Sequence, residues 1–150
     1  MKAITLTQPW ASLVSIGAKH IETRSWQTSY RGTLAIHAAK TFGVWKLSGI
    51  RWMMTQFPSF KTSLDSAGLL IETLPMSCIV ATCNLIDCIP THVLTSGFGE
   101  LLGESYKLDQ KELDFGDYTP GRFAWLLTDV QPFQEPVPAR GALGLWDWTR

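Results

Sequence analysis

Residues 77–88, Ser-Cys-Ile-Val-Ala-Thr-Cys-Asn-Leu-Ile-Asp-Cys, constrain this chain more than any other stretch. The run is apolar, rich in β-branched residues and closed by Pro90-Thr91. A membrane span needs about 18–20 consecutive apolar residues, and no stretch of the chain supplies them. A run of this length and composition reads instead as a buried strand. Other segments supply its neighbours. Residues 2–7 alternate apolar and polar side chains. Residues 33–38 place Leu34 and Ile36 on one face, with Ala35 and His37 on the other. Residues 122–130 alternate through Phe123, Trp125 and Leu127, and residues 143–148 carry Trp146 and Trp148 on one face.

Helical signals sit between these strands. Thr7 is a good N-cap, Pro9 is tolerated only in a first turn, and Gly17 closes the segment, so residues 7–16 are expected to be a helix. Residues 42–57 pair Val44, Leu47, Ile50, Trp52, Met53 and Met54 at helical spacing, and Trp52, Met53 and Met54 are assigned to the core. A second helix is expected over 62–74. Residues 97–120, with four glycines, six acids and little periodicity, read as an exposed acidic loop. Pro132, Pro136 and Pro138 mark an extended connection. Trp125, Trp146 and Trp148 belong to the core. The expected class is α+β: one domain over 1–150, a small mixed or antiparallel β-barrel with flanking helices.

Of 150 residues, 45% are hydrophobic and 17% charged, enough apolar material for one core and too little charge for a disordered chain. The beginning of the chain has no apolar centre of the signal-peptide kind, so a cytoplasmic location is expected. Cys78, Cys83 and Cys88 lie five apart on a strand and alternate faces, so they cannot converge on one metal and are expected to be buried thiols. No phosphate-binding glycine loop, His-Glu-x-x-His, Cys-x-x-Cys or Gly-x-Ser-x-Gly is present, so neither metal nor cofactor is expected.

A formal net charge of +0 hides an asymmetry. Residues 1–61 carry eight cations and one acid, and residues 62–150 carry five cations and twelve acids. A basic half suggests a local anionic partner, with phosphate the first candidate, unless the two halves interleave and mix their charges.

The polar and aromatic groups are densest between Gln8 and His37. If residues 19–26 are extended, Glu22, Arg24 and Trp26 share a face, and Ile21, Thr23 and Ser25 share the other. Lys19 lies at the preceding turn. An arginine fork suits phosphate or a base edge, a glutamate accepts from an exocyclic amine, and an indole stacks on a base. The plain alternative is a structural Glu22–Arg24 or Glu22–Lys19 ion pair at a rim. Gln8, Trp10, Ser25, Tyr30, Arg31 and His37 complete the candidate set. For His37 a hydrogen-bonded structural role is the competing assignment.

At this cluster Gly17-x-Lys19-x-x-Glu22-x-Arg24 matches the G-x-K-x-x-E-x-R signature, and the chain resembles the ASCH domain family of the PUA-like superfamily. The run from Leu6-Thr7-Gln8-Pro9-Trp10-Ala11-Ser12-Leu13 through Arg24-Ser25-Trp26 to Tyr30-Arg31-Gly32 and Ile36 looks like the cointegrator branch, and Leu85-Ile86-Asp87-Cys88 resembles its later strand. The resemblance implies a β-barrel with flanking helices and a cleft bearing the signature. It implies binding of nucleic acid, chiefly RNA, with DNA in the cointegrator branch. Some small members are implied to hydrolyse N4-acetylcytidine, and one is credited with ribonuclease activity. In the amidohydrolase branch a threonine stands where this chain has Glu22, and a glutamate falls near Asn84, so only Lys19 matches.

Three functions follow. In a binding module, Lys19, Arg24 and Arg31 hold phosphate of RNA, DNA or a nucleotide-like ligand, Glu22 reads a base edge, and Trp10, Trp26 or Tyr30 stack. In a small enzyme acting on RNA or a modified nucleoside, Lys19 and Glu22 are the reactive pair. In a protein-interaction domain, exposed tryptophans make the contact.

Overall fold

A computed structural model describes residues 1–150. The strands are β1 (Lys2–Leu6), β2 (Ile21–Arg24), β3 (Gly32–Ala38), β4 (Cys78–Pro90), β5 (Phe123–Pro138) and β6 (Leu145–Asp147). The helices are α1 (Trp10–Ser15), α2 (Lys46–Gln56), α3 (Pro58–Ser66), α4 (Thr91–Thr95), α5 (Phe98–Leu102) and α6 (Gln110–Phe115). The strands form one sheet in the order β2-β5-β4-β3-β1-β6. β1 runs parallel to β3 and antiparallel to β6, and β2 runs antiparallel to β5, so the sheet is mixed and the class α+β, as expected. No helix is long and apolar enough to cross a membrane.

Contacts group the chain into two compact units. One comprises Met1–Ala18, Thr33–Cys83 and Val130–Arg150; the other comprises Lys19–Gly32 and Asn84–Asp129. In the first, Ala3, Ala35, Ile79 and Trp148 form a core cluster, with Phe133, Val137 and Trp146 packed against it. β1 is buried on both faces: Ala3 enters this cluster, and its neighbour Ile4, on the opposite face, is buried as well. In the second, Ile21, Leu94, Ala124 and Leu126 form a cluster joined by Tyr106 and Tyr118. Here β2 and β5 pair with Ile21 opposite Leu126 and Glu22 opposite Trp125. Cys78 and Cys83 are buried, as expected for structural thiols, and burial pushes the Cys83 thiol up to about 12. Cys88 is only half-buried, and its Sγ accepts from Thr28 N–H at 3.5 Å.

Five expectations need correction. The first helix begins at Trp10, and no side chain of Thr7 caps it; the Gln8 side-chain oxygen accepts from Ser12 N–H at 3.1 Å instead. The segment 42–57 is broken: a 3-10 turn over Gly43–Trp45 precedes α2, and Lys46 between them has φ 52°. The following helix is α3, which ends at Ser66; its start signal was Pro58 in the first turn. Residues 97–120 contain α5 and α6, each too short for an apolar period to show. Trp52 is also not core. Ile50 and Met53 take the inward side of α2, and Trp52, two residues beyond Ile50, turns outward and is 62% exposed.

Candidate nucleic-acid interface

The second unit holds the charged cluster. The expected alternation of β2 is present: Ile21 and Thr23 are buried, while Glu22 and Arg24 lie on the other, half-buried face. Lys19, just ahead of β2, is 0% exposed. Its ammonium donates to the carbonyl of Ile21 and sits 3.5 Å from Glu22 Oε2. Arg24 Nε lies 3.1 Å from Glu22 Oε1. One carboxylate therefore divides its two oxygens between two cations, one buried and one partly exposed. Antiparallel pairing places Trp125 beside Glu22 on that face. Trp125 packs edge-on against Trp26, ring centres 4.7 Å apart, and its indole N–H donates to the Trp26 carbonyl at 3.3 Å. Glu22 and Arg24 thus share a face, as the spacing indicates; β2 ends there, and half-buried Trp26 lies in the bend beyond it, brought to that face by its contact with Trp125. Ser25 is exposed.

Arg31 is engaged elsewhere in the same unit. Its guanidinium donates to Asp87 Oδ1 at 2.8 Å and to the carbonyls of Thr28 and Tyr30. Asp87 also accepts from the Tyr106 hydroxyl at 2.9 Å and from Cys88 N–H. Burial alone would raise the Asp87 pKa, but these donors together hold it below the usual carboxylate range. Tyr30 folds over Gly32, where an added Cβ would meet its hydroxyl at 3.6 Å and where φ is 120°. Asn84 donates to Asp129 Oδ2 at 3.1 Å.

Glu112 on α6 clasps the entry to β2. Asp109 caps α6 by accepting from Glu112 N–H at 2.8 Å. A glutamate at this position often reaches back to the cap's own N–H. Here the Glu112 side chain instead accepts from His20 N–H at 2.6 Å, next to Lys19. Tyr118 is pushed well above the ordinary tyrosine range, by burial first and then by the charges of Glu112, Glu22 and Asp109.

Gln8, Trp10 and His37 belong to the first unit. Gln8 is 0% exposed and donates to the Pro75 carbonyl at 2.8 Å. Trp10 packs edge-on against Phe60 and tilted against Trp45. His37 is 2% exposed, lies edge-on to Trp146, and its Nε2 is 3.0 Å from the Ala139 carbonyl, which assigns the ring proton to Nε2. Gly141 leaves room for this ring, since a Cβ there would lie 2.4 Å from His37 Cε1.

Burial lowers the His37 pKa from 6.5, against the raising effect of the Ala139 hydrogen bond. The unfolded chain therefore binds this proton at a higher pH than the folded chain does. Stability is full above about pH 6.5 and falls as the pH drops toward the lowered folded value. Urea midpoints at about pH 7.5 and about pH 5.5 should show the loss, and His37→Gln should narrow the gap. An unchanged gap would assign the loss to other groups.

The ASCH domain family model matches residues 4–137. The chain belongs to the ASCH domain family. Human activating signal cointegrator 1 is 30% identical over 103 residues, which is 68% of this chain and 17% of that protein. The mouse protein of the same name is 28% identical over 112 residues, with the same shares. The match thus spans about a sixth of the length of these curated relatives. The crystal structure of ASCH from Zymomonas mobilis superposes with a TM-score of 0.53 at 18% identity, over 99% of this chain and 87% of that one. A tyrosine-to-phenylalanine mutant of that Zymomonas mobilis protein gives 0.52 at 17%, over 99% and 89%. These structures share the fold.

Within the ASCH signature, the structure joins Lys19, Glu22 and Arg24 directly. It also adds residues that sequence reasoning missed: Trp125 as the support of Trp26, Asp87 and Tyr106 as the partners of Arg31, and Glu112 as the tether of His20. Two signals were available. Asp109-x-x-Glu112 is a capping-box pattern, and Asp87 is the only acid between Glu72 and Glu100. No cluster of three or more His, Cys, Asp or Glu side chains is placed to hold a metal ion.

Proposed function

We propose that this ASCH chain binds RNA or DNA through the β2 face that carries the signature residues. The observation that carries the reading is the division of Glu22 between buried Lys19 and partly exposed Arg24, beside Trp26. Without a ligand, Glu22 neutralises Lys19 and holds Arg24 in place. Partly exposed Arg24 then meets a phosphate or a base edge, Glu22 accepts from a base amine, and Trp26 offers a ring for stacking. Arg31 contributes field rather than a free fork, because Asp87 occupies it.

Fluorescence anisotropy with a labelled RNA, a single-stranded DNA and a duplex tests this. Affinity is expected to fall steeply between about 50 mM and about 200 mM salt. Arg24→Ala should weaken binding and reduce the salt slope by about 0.7 for a single strand, one phosphate contact's worth. Binding to none of the three probes, or binding indifferent to salt, would overturn the reading. Cleavage of the labelled RNA in the same incubations would move it to an enzyme with Lys19 and Glu22 as the reacting pair.

A further inference from the structure

The segment from Thr23 to Leu64 contains no acid and six cations: Arg24, Arg31, Lys40, Lys46, Arg51 and Lys61. In the first unit this segment also exposes two tryptophans that the ASCH signature does not include. Trp45 is 46% exposed and Trp52 is 62% exposed. Trp45 immediately precedes α2 and lies against Gly49, and Trp52 stands three residues after Gly49 on the same side of the helix, away from Ile50 and Met53.

The side between them is kept flat. Gly49 lies one turn after Trp45, and a Cβ there would meet the Trp45 ring at 3.9 Å, so the indole lies along the helix over Gly49. From beneath, Trp45 is supported by Trp10, ring centres 6.2 Å apart, and Trp10 rests edge-on against the buried Phe60. Trp45 is therefore a braced platform rather than a loose surface ring. Lys46 stands beside Trp45 and holds no carboxylate. Arg51 stands beside Trp52, in an exposed pair with Glu72 at 2.8 Å that a phosphate can displace.

We infer that Trp45 and Trp52 form a second contact surface for a single-stranded nucleic acid, with unpaired bases stacked on the two indoles and phosphates neutralised by Lys46 and Arg51. This rests on the reading of the chain as a nucleic-acid binder and extends it to a face outside the signature. Charge selects this occupant. A second copy meeting this face across a two-fold axis would set Lys46 and Arg51 against their own equivalents. A lipid surface calls for a continuous apolar strip, whereas α2 also presents Ser48, Thr55 and Gln56 outward. A duplex keeps its bases stacked on each other and leaves none for the indoles.

The test measures affinity for a labelled oligouridine of about twelve nucleotides and for a duplex, in wild type, Trp52→Ala, Trp52→Phe and Arg24→Ala. Trp52→Ala should weaken single-strand binding about ten-fold and leave duplex binding unchanged, with Trp52→Phe restoring most of the loss. Trp45→Ala, with folding checked by circular dichroism, should act in the same direction. Wild-type binding that Arg24→Ala weakens but Trp45→Ala and Trp52→Ala leave within about two-fold would overturn this inference alone. Absence of any wild-type binding would overturn the proposed function with it. Unchanged strand binding in Trp52→Ala, with loss of self-association or of sedimentation with phosphatidylserine vesicles, would reassign the surface to a second copy or to a membrane.

Discussion

Glu22→Gln is expected to destabilise the folded protein by about 3–5 kcal/mol, the usual cost of leaving a buried charge without its partner. Lys19 is fully buried, and its ammonium has one carboxylate within reach. The Ile21 carbonyl accepts one of its protons but brings no neutralising charge. Arg24 loses the same partner, at smaller cost because its side chain retains 26% exposure to water. Adding Lys19→Met to Glu22→Gln should recover most of the loss, since replacing both members of a buried pair is often neutral. Urea unfolding of the wild type, both single variants and the double variant closes the cycle. A Glu22→Gln cost under about 1 kcal/mol would mean that Lys19 is solvated by water or compensated by another group. If the double variant is stable yet binds no strand, the pair is retained for its ligand rather than for the fold.

Trp125→Ala is expected to cost a further class of stability, about 3–5 kcal/mol, through a cavity rather than a charge. Trp125 is 0% exposed, stands opposite Glu22 on β5 and supports Trp26 edge-on. Truncation removes the ring, its dispersion contacts and the donor to the Trp26 carbonyl. Trp125→Phe should cost less, because an aromatic ring still fills much of the space while the Trp26 carbonyl loses its donor. Thermal and urea midpoints measure both. A Trp125→Ala loss under about 1 kcal/mol would show that Trp26 collapses into the vacated volume, and the near-ultraviolet circular dichroism of Trp26 would change with it.

The legible parts of this protein are those whose partner is a near neighbour in sequence. The β2 alternation assigned Glu22 and Arg24 to one face and Ile21 and Thr23 to the other, because a strand's period of two needs no tertiary information. The same reasoning placed β1, β3, β4 and the first half of β5. It failed where elements are short or one-sided. A six-residue helix such as α6 makes fewer than two turns and shows no period, although its Asp109 cap was visible in the residue order. Trp52 was misplaced because hydrophobicity alone does not say which side of α2 packs; only Ile50 and Met53, three apart, define that side. Pro132 and Pro136 disguised the second half of β5, which tolerates them where the ladder does not need their N–H groups.

The amino-acid order by itself determined the α+β class, the mixed set of strands, the ASCH signature and the shared face of Glu22 and Arg24, all of which follow from local period and spacing. Tertiary structure alone decided that Lys19 is sealed from water against Glu22, that Asp87 occupies Arg31, and that Glu112 reaches back to His20 across ninety-two residues of chain. Those outcomes depend on which distant segments fold against each other, and the free energy of a buried charge is set by the groups that arrive around it, not by its neighbours in the sequence.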